Sequence, residues 1–473
     1  MADTIYSVGT LRYDQAGLIR VFTVTLIGWF VHSLTTTAYA LSIPLLMEAQ
    51  GASNAEIILI SVSLAAVLNS ILNPIISYSS DCTRSRFGRR RPYVLWAAPF
   101  MGLFFAMLPY AGAFRRYLEA KPGVVAFCHT LHLSPLTLAF GIITFLYYIS
   151  FSFVATAPYY LIPDVIPKAV ISRYYGLLRL AFSAGGMVFN YFLLRYLRGY
   201  SHILLPSIAV LFVLVTMITT YMVKEGDYPP LPPRRADSQN LVSRIWDNVS
   251  EYWRCCFGNR YVWLIQITFS LAGISFCLNT LMIFFCLDEI GMTLAEYGTA
   301  NAMLGLVVLL ILPMSWMLDK ANHFRVFFYS WFAIALLCLL GFFFVQGYWT
   351  YLILMMLITL AGLPTSIDGI KVSIDLYPPG TYGQFSSSRA MFNSICIIIF
   401  SYIGGKLIDV LQQGCPKHGA GEGFWSVFGH YRALFLWRGL FMVAASLCFW
   451  KLYQIWLVKR RTGTVGERRT RTS

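Results

Sequence analysis

Long apolar runs alternate with short polar breaks from residue 20 to residue 458 of this 473-residue chain. Cutting at charges and at Pro/Gly clusters leaves twelve runs, at 20-47, 56-79, 93-111, 135-162, 174-195, 203-223, 261-286, 297-318, 326-345, 348-376, 389-411 and 432-458. Most hold roughly 20 residues or more, enough to cross a hydrocarbon core of about 30 Å at 1.5 Å per residue. The apolar positions are continuous rather than alternating, so the pattern predicts helices and not the strands of an outer-membrane barrel. One long polar stretch, residues 224-260, separates the sixth run from the seventh and is rich in proline and charge. The expected product is an all-α membrane protein with twelve transmembrane helices in two pseudo-symmetric six-helix bundles. The N-terminal bundle spans 1-223, a cytoplasmic linker 224-260, the C-terminal bundle 261-458 and a basic tail 459-473.

Two echoes support a duplication. Asp164-Val165-Ile166-Pro167, at the end of the fourth run, returns as Asp375-Leu376-Tyr377-Pro378 at the end of the tenth. Pro74 near the end of the second run and Asp81 just after it correspond more loosely to Pro313 near the end of the eighth and Asp319 just after it. Marks at matching places in two halves of equal helix count are typical of secondary transporters.

Composition agrees: 58% of the residues are hydrophobic and 12% are charged, about half the charged share of a soluble domain. The net charge of +15 raises nucleic acid as a partner, but no soluble domain carries a basic stripe able to hold a duplex, so none is expected. Location accounts for the charge better. With both termini on one side, 23 lysines and arginines fall in that side's segments and eight in the opposite loops, which predicts cytoplasmic termini and a multi-pass protein of the cell membrane. The cysteines lie mostly inside apolar runs and read as small buried hydrophobes; Cys128 and Cys415, in loops on one side, are the pair that could bridge. The first run is too long for a signal-peptide core and reads as a retained helix.

Residues 81-92, "DCTRSRFGRRRP", follow the second run. This stretch resembles the loop 2-3 signature of the major facilitator superfamily, in the form carried by glycoside-pentoside-hexuronide:cation symporters and their sucrose-transporter relatives. "LNSILNPIISYSSD" before it and "YYLIPDVIPKAVISRYYGLLRLAFSAGG" across the fourth and fifth runs extend the likeness. The resemblance implies the major facilitator fold and charged contacts that hold one transport state. Asp81, Arg84, Arg86 and Arg89 occupy the matching places, with Asp164, Arg173 and Asp319 completing the expected latch. Such a latch matters because alternating access needs contacts that differ between two states. One departure stands out: melibiose-type members carry acidic residues inside the second helix, whereas residues 56-80 hold only Glu56. Proton coupling is therefore expected over sodium, with no cofactor and no metal site.

Ionisable residues deep in a span are costly and mark cavities or pathways. His32 lies in "GWFVHSLTTTAYAL". It reads either as a proton-exchanging group facing a cavity or as a neutral ring bonded to a neighbouring hydroxyl. Asp368 and Lys371 stand three apart on one helix face and form either a coupling pair or a static packing pair. Arg179 is expected to meet a substrate hydroxyl or a carboxylate such as Asp164, or to snorkel inward. Tyr147, Tyr148, Thr156, Asn190, Gln266 and Asn279 supply neutral hydrogen-bonding groups beside aromatic rings, a mixture suited to a sugar. The small residues Ala181, Ala184, Gly185 and Gly186, and Ser386 to Ser388 with Ala390, predict close helix approach.

These signs predict a monomeric secondary active transporter carrying a sugar or glycoside with a proton by alternating access, its partners a small-molecule substrate and membrane lipids. A lipid or lysolipid carrier of the same fold would instead show an apolar lateral opening between helices. A scaffold or sensor that kept the fold would make the deep polar residues dispensable. No nucleophile-base or metal constellation points to an enzyme, and no GxxxxGK[ST] motif to an ATP-driven pump.

Overall fold

The computed structural model describes residues 6–8, 10–83, 85, 87–88, 90–130, 133–167, 170–226, 257–258, 260–318, 321–377, 382–414 and 429–461. Among them, eleven stretches are long and apolar enough to cross a membrane, and one of these, Arg173–Met222, runs for 50 residues. At 1.5 Å per residue that is on the order of 75 Å, two crossings in series. The junction is visible in the backbone: a π turn at Phe189–Leu193 is followed by Tyr200 with non-helical φ −125° and ψ 25°.

The spans are α1 Gln15–Glu48, α2 built from Asn54–Ile58 and Leu64–Cys82, α3 Arg91–Met107, α4 Pro135–Val165, α5 Ile171–Val188 and α6 Leu197–Met222. They continue with α7 Arg260–Phe276, α8 Leu294–Val308 resuming at Ile311–Leu318, α9 His323–Phe344, α10 Tyr348–Leu376, α11 Tyr382–Gly414 and α12 Ala433–Arg461. A short antiparallel hairpin, β1 Tyr6–Val8 with β2 Leu11–Tyr13, precedes α1, and two short helices, Ala111–Glu119 and Pro122–Thr130, follow α3; the apolar runs announce none of the three. Tyr6 and Tyr13 of the hairpin pack on a core of Leu18, Ile162, Val165, Tyr174 and Val223, and burial pushes the Tyr13 phenol above its ordinary pKa.

By packing the chain falls into two compact units. The first holds Met1–Leu231 together with Thr280–Leu306 and Tyr402–Gly414; the second holds Pro232–Asn279, Val307–Ser401 and Cys415–Ser473. Within the first, α6 lies on α1 and α3, and α3 on α4. Within the second, α12 lies on α7 and α9, and α9 on α10. Each pairing of the first set recurs six helices later, as a duplicated bundle requires.

Caps and close approaches explain the ends and crossings. Asp14 accepts from the N–H of Gly17 at 2.9 Å to start α1, and Ser53 with Glu56 forms a capping box at the start of α2. The other oxygen of Glu56 accepts from Ser134 at 2.5 Å and Thr137 at 2.7 Å, tying the beginnings of α2 and α4. The predicted close approach at Gly185 is present: a Cβ there would strike the carbonyl oxygen of Phe30 and stand 3.0 Å from the nitrogen of Leu34, so α1 and α5 touch backbone to backbone. Cys128 is a buried free thiol; Cys415 lies outside the described residues.

Candidate functional site

The α1 segment "GWFVHSLTTTAYAL" and the α4 segment "ITFLYYISF" place aromatic side chains at helical spacing. His32 and Tyr39 are two turns apart on α1, and Tyr147 and Phe151 one turn apart on α4. In the first unit these faces meet. Tyr39 stacks on Tyr147 with ring centroids 3.7 Å apart, and Tyr148 meets Tyr39 edge-on at 5.5 Å. Phe151 lies 5.9 Å from Tyr147 and 5.8 Å from Tyr148, and His32 stacks on Phe151 at 6.0 Å. The structure thus brings Tyr147, Tyr148 and His32 into one aromatic cluster and adds Tyr39 and Phe151. The hydroxyls of Tyr39, Thr144 and Tyr147 are enclosed there: that of Tyr39 lies beside those of Thr144 and Tyr148, and that of Tyr147 has no hydrogen-bond partner among the described residues.

The surroundings of His32 differ from the expectation that a nearby hydroxyl binds it. Thr35 donates back to the carbonyl of Val31 at 2.9 Å and Thr36 to that of Ser33 at 3.1 Å, the usual way a helical threonine satisfies itself in an apolar setting. The His32 ring instead has Trp29 at 5.5 Å, Phe212 at 6.3 Å and Phe182 at 6.4 Å as further neighbours. It lines a mostly apolar cavity of about 80 Å³ inside the first unit, shared with Thr25, Trp29, Arg90, Arg91 and Thr219.

Arg90 and Arg91 close that cavity, and their role was not foreseen. Arg91 donates through Nε to the carbonyl of Thr220 at 2.7 Å and through Nη2 to that of Tyr221 at 2.9 Å, capping the end of α6. In return one oxygen of Glu225 accepts the backbone N–H groups of Arg90 at 3.0 Å and Arg91 at 2.9 Å, at the start of α3. Gly88, at φ 102°, leaves room for that carboxylate, which would stand 2.6 Å from a Cβ. Part of the arginine cluster is therefore spent inside the bundle. Arg84, Arg86, Arg89 and Asp319 lie outside the described residues. Asp81, Thr156, Asp164 and Asp368 lie on described helices, but their side chains are outside the described residues.

The other predicted residues are scattered. Arg173 and Arg179 on α5 are exposed. Asn190 donates to the carbonyl of Gly186 at 2.8 Å, supporting the π turn. In the second unit Gln266 is buried and donates to Ser388 at 3.4 Å, linking α7 to α11. Asn279 is exposed just past a break in α7, and Lys371 is half-buried on α10. Two cations of the second unit were missed: Arg389, which donates to Ser373 at 3.0 Å and lies over Phe269, and Arg438, buried on α12. Their positions inside α11 and α12 were the available signal.

A multi-pass helical membrane protein whose two halves repeat the same helix pairings has the architecture of a secondary transporter. The model of the Major Facilitator Superfamily matches residues 25–401, well over half of the chain, and the chain belongs to that superfamily: it is one of its transporters. Solved structures agree on the fold. The nucleoside transporter NupG superposes with TM-score 0.58 at 13% identity over 92% of this chain and 98% of its own. The inward-open xylose transporter XylE from E. coli gives 0.58 at 15% over 92% and 96%, and a D-xylose-proton symporter 0.57 at 13% over 92% and 96%. No curated protein matches the sequence.

Proposed function

We propose that the chain is a proton-coupled symporter of a sugar or glycoside, of the glycoside-pentoside-hexuronide:cation branch, working by alternating access of two six-helix bundles joined by the 224-260 linker. The supporting observation is the cluster of Tyr39, Tyr147, Tyr148 and Phe151 with its three enclosed hydroxyls. A sugar offers C–H faces to rings and hydroxyls to hydrogen-bonding edges, and such a cluster supplies both. Thr156, Arg179, Asn190, Gln266 and Asn279 are the further candidate contacts. His32 and the pair Asp368 and Lys371 are the candidate coupling groups, and Asp81, Arg84, Arg86, Arg89, Asp164, Arg173 and Asp319 the latch. Glu56, the one acidic residue among residues 56–80, is committed to hydrogen bonds with Ser134 and Thr137, which speaks against an acidic ion site of the melibiose kind in that stretch. The termini are proposed to be cytoplasmic, in a cell membrane.

Reconstituted protein should accumulate a labelled disaccharide under an inward proton gradient and lose the accumulation with a protonophore. Asp368→Asn should abolish coupled uptake while leaving folded protein in the membrane. Uptake driven by sodium alone, or normal coupled uptake by the variant, contradicts the coupling scheme.

A second reading, transport of a lipid or lysolipid, is favoured by one observation. Ala184, Met187, Tyr191 and Phe192 face Thr299, Met303 and Leu306 across an apolar cleft of about 380 Å³ between α5 and α8. Movement of a labelled lysolipid, with no disaccharide uptake, would select this reading.

A further inference from the structure

Arg438 stands in the second turn of α12 and is 8% exposed. Its guanidinium lies over the ring of Phe276, 4.4 Å from the centroid, with the Cys338 thiol of α9 and the Tyr351 phenol of α10 as its other electrostatic neighbours. Its Nε is wholly enclosed without an acceptor, and among the described residues no carboxylate pairs with it. An arginine stays charged at any physiological pH, and a charge buried without a partner is among the most unfavourable arrangements a fold can hold. A cation–π contact offsets only part of that cost. Other buried or half-buried arginines show what a purely structural role looks like in this chain. Arg91 donates to two α6 carbonyls, Arg389 to Ser373, and Arg432 to the carbonyl of Phe342 at 2.9 Å.

The local backbone also departs from regular helix. Phe276 ends the helix Arg260–Phe276, and the neighbouring Trp437 donates through Nε1 to the carbonyl of Ile274 at 3.0 Å, just before the break. Trp437 thereby serves the chain end, while the Nε of Arg438 finds no acceptor among the described residues.

We propose that Arg438 anchors a small monovalent anion within the second unit, chloride or the carboxylate of a small organic acid, gripped by the planar guanidinium beside Phe276 and Cys338. Both ligands offer one negative charge to a forked donor, and a carboxylate can engage it through two oxygens. The site goes beyond the transport reading and stands whether or not the substrate is a sugar.

A ligand that binds only the folded state raises the unfolding temperature in a saturable way. Full-length protein in detergent is melted across concentration series of sodium chloride and of sodium formate, with ionic strength held constant by sodium gluconate. A saturable rise with at least one of the two small anions is expected, and the anion with the lower half-saturation is the ligand. Arg438→Gln should lose the response. Should that variant fail to fold, Cys338→Asp keeps the guanidinium and supplies an internal carboxylate. It should melt higher in gluconate than the unaltered protein and no longer respond to either anion. An unfolding temperature indifferent to both anions in the unaltered protein, or a response that survives Cys338→Asp with the same half-saturation, overturns the proposal.

Discussion

Three hydroxyls, on Tyr39, Thr144 and Tyr147, are enclosed in one aromatic cluster; those of Tyr39 and Thr144 lie beside each other, while that of Tyr147 has no partner among the described residues. Folded proteins leave few buried polar groups unsatisfied, and those that remain call for a ligand, a water or a functional reason. Tyr147→Phe should therefore leave thermal stability within about 1 kcal/mol of the unaltered protein. The KM for sugar uptake should rise roughly tenfold, the worth of one hydrogen bond to substrate. An unchanged KM with intact uptake would remove this hydroxyl from the substrate site. Tyr147 and Tyr148 are recognisable in the sequence as polar aromatics on a span. Thr144 is not, because only the rotation of α4 decides that its hydroxyl shares the enclosure. His32 makes the same point in reverse: its threonine neighbours were visible, but their hydroxyls turn back to their own helix and leave the imidazole among rings.

At the scale of elements, the ends of α3 and α6 are held by a reciprocal clamp. Arg91 caps α6 through carbonyls, and Glu225 caps α3 through amides. Charge-assisted bonds at helix ends are the stronger kind, so Glu225→Gln should lower stability by about 2 kcal/mol, read as a drop in Tm in detergent. Gly88→Ala should lower it as well, because its φ of 102° is strained for alanine and its Cβ would meet the Glu225 carboxylate. A Tm unchanged in both variants would show that the clamp contributes nothing. The arginine cluster itself is plain in the sequence. The division of labour inside it is not, since the partners of Arg90 and Arg91 lie 129 to 135 residues away.

Across the whole molecule, the first unit gathers segments from far along the chain. The carboxylate of Asp409 accepts the N–H of Asn54 at 2.8 Å and of Ala55 at 3.1 Å, and the Asn54 amide donates to Gln412 at 3.1 Å. Gly298 packs so closely on the carbonyl oxygen of Asn190 that no Cβ could fit between them. If these contacts hold Tyr402–Gly414 on the start of α2, Asp409→Ala should speed hydrogen exchange at the amides of Asn54 and Ala55 by tenfold or more, since bonds to a charged acceptor are worth roughly 1.5–3 kcal/mol. Exchange at the original rate would mean that the carboxylate is not what protects them.

The number, length and apolar character of the spans, the doubling of the pattern and the placement of basic residues follow from the chain alone. Lipid forces every backbone group to be satisfied within its own helix, so hydropathy by itself reports where each helix runs. Which polar groups meet depends on helix rotation and on partners hundreds of residues apart, and no local pattern encodes either. Tertiary packing alone therefore turned His32 toward rings, set Glu225 against the start of α3, and left Arg438 enclosed with a phenyl ring in place of a counter-charge.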